Sequence, residues 1–122
     1  MGQARAVTME VLLASVPVTD LSTATAWYEG LFGRAADIVP NEKEVMWRIA
    51  GNGWLYVIED EKRAGRTAVT ISVSDLDRFV TDLTARGVDV GQIETVGDAG
   101  RKASVIDSDG NVLSFIEVNA KD

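Results

Sequence analysis

The feature that most constrains this chain is a pattern that it carries twice. Ala14, Val16 and Val18 alternate with Ser15 and Pro17 and lead into Thr19-Asp20-Leu21; 55 residues later Val69, Ile71 and Val73 alternate with Thr70 and Ser72 and lead into Ser74-Asp75-Leu76. Alternation of apolar residues is the period of a strand with one buried face. After each Asp-Leu the period changes. Ala24, Trp27, Tyr28 and Leu31 follow at helical spacing up to Gly33, and Leu76, Phe79, Val80 and Leu83 do the same up to Gly87. A second echo closes each half, Gly53-Trp-Leu-Tyr-Val-Ile-Glu59 against Asn111-Val-Leu-Ser-Phe-Ile-Glu117, at an offset of 58. Loop-length changes between two copies of one unit account for the drift. Whatever one half folds into, the other must fold into as well.

The rest of each half follows from local signals. Ser74 with Asp77 resembles a capping box that would start the second helix. Arg34 to Val39 reads as a short strand and Pro40 to Lys43 as its turn. Glu44 to Ile49 and Trp54 to Ile58 read as strands joined through Gly51-Asn52-Gly53, a hairpin signal. Glu59 to Arg66 is a charged linker between the halves. In the second half Asp89 to Val96 reads as a weak strand, Lys102 to Ile106 as a strand, Asp107 to Asn111 as a turn and Val112 to Val118 as the last strand. The sequence therefore predicts an α+β fold of two tandem β-α-β-β-β units, 9–60 and 65–118, with helices near 20–32 and 75–86. The polar lead-in, Met1 to Thr8, is expected to be frayed.

Composition narrows the function. The chain of 122 residues is one domain's worth, and its formal net charge of −7 argues against nucleic acid, which selects basic surfaces. The same charge would suit a cationic ligand. The absence of cysteine excludes disulfides and thiol chemistry and fits a cytoplasmic protein. The absence of histidine removes the usual general base and the commonest metal ligand.

Two units of this kind, with Val18-Thr-Asp-Leu21, Leu31-Phe-Gly33, Val73-Ser-Asp-Leu76, Ala85-Arg-Gly-Val88 and Asp107-Ser-Asp-Gly-Asn-Val-Leu113, resemble the vicinal oxygen chelate superfamily of glyoxalase I, bleomycin-resistance proteins and extradiol dioxygenases. The resemblance covers residues 9 to 118. It implies sheets that form an open, curved barrel with a cavity inside and helices outside. It also implies where a metal would sit: on the first strand of each unit, seven residues before the capping Asp, and on the last strand, three residues after the Asn of Gly-Asn or its equivalent. Those positions hold Leu13, Tyr56, Ala68 and Ser114. Leu13 and Ala68 have no donor atom, and the hydroxyls of Ser and neutral Tyr are poor ligands, so no metal or other cofactor is expected.

Pleat parity sorts the strand residues between two faces. Leu12, Ala14, Val16, Val69, Ile71, Val73, Leu113 and Phe115 are assigned to the helices. Leu13, Ser15, Pro17, Ala68, Thr70, Ser72, Ser114 and Ile116 are assigned to the cavity, with Trp54, Tyr56 and Ile58. The ligand-contacting candidates are Leu13, Trp54, Tyr56, Ala68, Ser114 and Trp47; Trp47 stands on a strand whose facing the sequence leaves open. Trp27, at core spacing on the first helix, is assigned to packing. Asp107-x-Asp-Gly is assigned to a turn, since an EF-hand calcium loop needs further ligands. Glu59, Asp60 and Glu61, beside Lys62, Arg63 and Arg66, are assigned to a solvated charge run.

Three functions fit these residues. The first is metal-free binding of a small flat or aromatic molecule, similar to the bleomycin-resistance branch that sequesters an antibiotic, a route to antibiotic resistance. The second is a metal-independent or divalent-metal-dependent lyase or dioxygenase-type enzyme of the same superfamily, although no reacting pair is marked. The third is an interaction module without a ligand. An apolar cavity face argues for a homodimer, in which a second chain covers it.

Overall fold

The computed structural model describes residues 6–119. Met1 to Arg5 of the lead-in lie outside the described residues, and 6–11 have no regular structure. Ten elements follow: β1 (Leu12–Val18), α1 (Leu21–Phe32), β2 (Ile38–Asn41), β3 (Glu44–Ala50), β4 (Gly53–Glu59), β5 (Ala68–Ser72), α2 (Leu76–Ala85), β6 (Glu94–Val96), β7 (Gly100–Ile106) and β8 (Val112–Val118). They form two four-stranded sheets ordered β1-β4-β3-β2 and β5-β8-β7-β6. In each, the first and last strands of the unit pair in parallel across the helical crossover, and the other neighbours are antiparallel. The α+β reading and the repeat both hold, and neither sheet closes on itself.

The helices begin one residue later than the capping box suggested for the second. Asp75, not Ser74, is the cap, and its carboxylate accepts from Arg78 N at 3.1 Å; Asp20 does the same for Thr23 N at 3.0 Å. An aspartate carboxylate is as good a cap as a serine hydroxyl, and it adds a negative charge at the positive end of the helix dipole. The helix N-termini receive a second, repeated support from the last strand of each unit. Glu59 accepts from Leu21 N at 3.1 Å and is held by Lys43 Nζ at 2.7 Å; Glu117 accepts from Leu76 N at 2.9 Å and is held by Arg101 at 3.3 Å. The duplication thus extends to a helix cap, a glutamate and a base. Glu59 is a structural residue of unit one, not part of a solvated run. α2 ends at Ala85, and the φ of +81° at Gly87 just beyond it lets Val88 N reach back to Leu83 O at 3.0 Å.

The edge strands are shorter than expected. β2 includes Pro40 and Asn41, which the sequence assigned to a turn, and β6 keeps only Glu94–Val96 of the run from Asp89. Both are polar or exposed edges, where a ladder on one side alone gives little to hold a longer strand.

One core joins the two units. Val16, Val57, Val45 and Leu55 from the first sheet meet Leu113, Phe115, Val105 and Ala103 from the second, with Tyr28, Leu31, Leu76 and Leu83 of the helices between them. Leu12 shares the parity of this face but lies beyond helical cover and is 76% exposed. The units are latched by the turn Asp107–Asn111. Asn111, fully buried, donates to Pro17 O at 2.9 Å and to Asp107 Oδ2 at 2.8 Å, and accepts from Thr67 N at 3.0 Å. Tyr28 of α1 donates its hydroxyl to Asp107 Oδ2 at 2.8 Å, and Thr19 donates to Asp109 at 2.8 Å. Burial, with the Asp107 carboxylate beside it, pushes the Tyr28 phenol far above its ordinary value. Every oxygen of Asp107 is used in this way, as a turn and latch requires.

Candidate ligand-binding site

The faces turned away from the helices are open, and strand register arranges their residues in matching rows. Across the centre of unit one, Ser15 lies beside Tyr56 and Tyr56 beside Met46. Across the centre of unit two, Thr70 lies beside Ser114 and Ser114 beside Ser104, with the two serine oxygens 2.8 Å apart. The flanking rows are Leu13, Trp54 and Arg48 in unit one, and Ala68, Val112 and Ile106 in unit two. The copies have diverged in kind. Unit one offers bulky aromatic and thioether groups, and unit two offers hydroxyls and small aliphatics.

The open face of unit one holds a recess of about 420 Å³. Pro17, Tyr56 and Ile58 line it from the sheet, while Asp60, Arg63 and Arg66 line it from the linker. Trp54, on the same face of β4, opens instead onto a recess of about 230 Å³, where the β3–β4 turn approaches Thr70 and Ser72 of β5. A further recess on unit two is lined by Ser104, Ile106 and Val112 with the Asp89–Gly91 segment. The recesses beside Tyr56 and beside Ser104 are each lined by one unit and an adjoining segment, while that of Trp54 lies between the units, with Leu12, Ala14 and Ile49 of unit one facing Val69 and Ile71 of unit two.

The six candidate residues are not brought together as one group. Tyr56 and Trp54 are half-buried and line two neighbouring recesses. Leu13 is 48% exposed beside Trp54, Ala68 is exposed beside Val112, and Ser114 sits mid-face on unit two. Trp47 is a correction. It is fully buried on the helix side of β3, opposite Leu55, with its ring centroid 5.4 Å from Phe32 and 6.1 Å from Tyr28. Its indole N–H donates to Arg34 O at 3.1 Å, so the ring is a core residue with its polar atom satisfied. Trp27 also packs on the core, edge-on to Tyr28 at 4.7 Å. Ser15, Ser104, Arg66 and Thr67 were not among the candidates. Parity points to Ser15, but the residues from the linker and β7 come to the face only through tertiary register.

The family profile described as the Glyoxalase/Bleomycin resistance protein/Dioxygenase superfamily matches residues 10–115. The chain belongs to this superfamily. A glyoxalase/bleomycin resistance protein from Catenulispora acidiphila is 34% identical, with a TM-score of 0.85 over 91% of this chain and 100% of that one. TnmS3, an antibiotic-binding protein from Streptomyces sp. CB03234, is 23% identical, with a TM-score of 0.75 over 94% of this chain and 100% of its own. A bleomycin-binding protein complexed with bleomycin is 19% identical, with a TM-score of 0.73 over 92% and 100%. The last two likenesses establish shared fold. No curated protein matches the sequence.

The superfamily's metal centre does not fit the residues present. Register sets Ser15, not Leu13, beside Tyr56, and Thr70, not Ala68, beside Ser114. Either choice yields hydroxyls and hydrocarbon, without an imidazole or a carboxylate. Among the described residues no group of three or more Asp, Glu, His or Cys is placed to hold a metal ion. Glu44, at the end of β3, is engaged by Asn41 Nδ2 at 2.8 Å. Among the described residues no helix is long and apolar enough to cross a membrane.

Proposed function

We propose that this superfamily member is a metal-free binding protein for a small aromatic molecule, an antibiotic or an aromatic metabolite, which it sequesters without altering. The observation that carries this is the composition of the open faces. Tyr56, Trp54, Met46 and Ile58 supply apolar and aromatic area, and a few hydroxyls supply orientation, which is the make-up of small-molecule pockets. The four family ligand positions carry no strong donor, and among the described residues neither the Tyr56 nor the Ser114 hydroxyl is hydrogen-bonded to an acid or a base, Ser114 pairing with Ser104. The antibiotic-binding relatives named above share this fold and add to the case. We extend the proposal to a cytoplasmic location, with which the lack of cysteine is compatible.

The working form we propose is a homodimer in which the open face of unit one in each chain closes on the open face of unit two in the other. Three observations support it. Leu13 and Ile106, on the flanking rows of the two open faces, are 48% and 62% exposed, apolar surface that a partner chain would cover. The bulky row of unit one is complementary in size to the small row of unit two. Repeat-equivalent positions on the two faces carry opposite charge, Glu44 and Lys102. A two-fold axis would form both closures at once, because each chain offers both faces.

The test is titration with a panel of aromatic antibiotics and metabolites, read by tryptophan fluorescence and repeated on Trp54→Ala and Tyr56→Ala. Each truncation should weaken binding by roughly 1–3 kcal/mol, the value of an aromatic wall. Unchanged affinity in both variants would place the ligand elsewhere. Light scattering should give twice the chain's 13.1 kDa; a monomer would remove the shared site.

A further inference from the structure

The chain's negative charge suggests a cationic ligand, but the recess on the open face of unit one points the other way. Its charged lining is Arg63, Arg66 and Asp60. Arg63 is 82% exposed and answers Asp60 only at 3.9 Å, while Arg66 makes no ion pair among the described residues. The remaining wall is Pro17, Ile58 and Tyr56 together with Ser15 and Thr67, an apolar and aromatic surface edged by hydroxyl-bearing residues.

Arg66 is not on an ordinary flexible linker. The residue before it, Gly65, has φ +83° and lies so close to the Asp109 carbonyl that an added Cβ would stand 2.2 Å from its oxygen. The residue after it, Thr67, donates its N–H to Asn111 Oδ1 at 3.0 Å and its hydroxyl to Ser15 O at 3.2 Å. Asn111 is itself fully buried and bonded to Pro17, a wall of the recess. The backbone of Arg66 is thus fixed on both sides by the latch between the units. That placement lowers the ordering cost of presenting a guanidinium to a ligand.

We infer that the ligand carries an acidic group, a carboxylate, sulfonate or acidic phenol, joined to its aromatic body, and that Arg66 recognises it while Tyr56, Pro17 and Ile58 hold the ring. This rests on the small-molecule reading above and specifies the chemical class of that ligand. Local charge outweighs the global balance here, because salt screens the remote carboxylates over roughly 8–10 Å, whereas the guanidinium touches the bound anion and can take it by two parallel hydrogen bonds.

The experiment compares two fluorescent probes with one aromatic skeleton, 8-anilino-1-naphthalenesulfonate and the neutral N-phenyl-1-naphthylamine, on the full chain. The sulfonate should bind about tenfold more tightly than the neutral probe, the effect of one charge-assisted contact. Arg66→Gln should abolish that preference by weakening the sulfonate alone, Arg66→Lys should keep part of it, and all three proteins should melt alike. Tight binding of both probes with no preference, or a preference that survives Arg66→Gln, overturns the acidic-ligand inference and leaves the aromatic site standing. Binding of neither probe removes both.

Discussion

Tyr28→Phe isolates the latch that makes one domain of two units. The change deletes a single oxygen and keeps the ring, which packs among Trp27, Phe32 and Trp47. What is lost is the 2.8 Å hydrogen bond from the hydroxyl to Asp107 Oδ2. Asp107 is 6% exposed, so water cannot readily replace the donor. Its carboxylate keeps Asn111 Nδ2 and the two backbone N–H groups of Asp109 and Asn111. The loss is therefore one bond to a buried carboxylate and not the collapse of the turn. Such a bond contributes about 1.5–3 kcal/mol, which for a domain of this size lowers the melting temperature by roughly 5–15 °C. Urea unfolding with an unchanged m-value is the assay, since one core shared by both units should still unfold in one step. A cost under about 0.5 kcal/mol would show that the latch contributes nothing beyond ring packing. A transition split in two would show that the units never shared a core.

Two further perturbations test the frame around the site. Gly65→Ala should destabilise by more than about 1 kcal/mol, because the left-handed backbone alone costs an L-residue roughly 1–2 kcal/mol and the Asp109 carbonyl occupies the space for the new carbon; a neutral result in thermal melts would mean that the linker is not seated on the turn. Stability should be flat between about pH 6 and 8, where no histidine titrates. Hydrogen bonds from Lys43 and from Arg101 hold the Glu59 and Asp77 carboxyls below their ordinary values of 4.5 and 3.8. Depressed carboxylates stabilise the fold above those values, and the contribution is lost as pH falls through the lower folded ones. Chemical denaturation across pH should thus show a decline only on the acid side, and a decline between 6 and 8 would contradict it.

How much of this was legible in the sequence depended on whether the deciding interaction was local or repeated. The helices were legible because Asp20 and Asp75 each precede an apolar stripe and a glycine follows it. The faces of β1 and β5 were legible from apolar alternation, and those of β4 and β8 from the echo that equates the last strands of the two units. β3 was not, since Met46, Trp47 and Ile49 are apolar on both faces and parity carries no information. Only the pairing of Trp47 with Leu55 shows that its ring belongs to the core. The helix-supporting glutamates lay in plain view at the repeat offset, Glu59 with Lys43 and Glu117 with Arg101, but a charged neighbourhood around Glu59 concealed the first. The latch could not have been read, because Asn111, Thr67 and Pro17 lie far apart in the chain and meet only after the units pack. Arg66 was hidden for the same reason, since its position depends on that latch.

The central claim is that a superfamily built around a metal centre is represented here by a chain that binds its ligand without one. Calorimetric titration of chelator-dialysed protein with an aromatic ligand found by the fluorescence screen tests it most directly. The account predicts full affinity and stoichiometry in the presence of excess chelator, with no change when zinc, nickel, manganese or iron is restored. Binding or turnover that appears only on restoring one of these metals would contradict it.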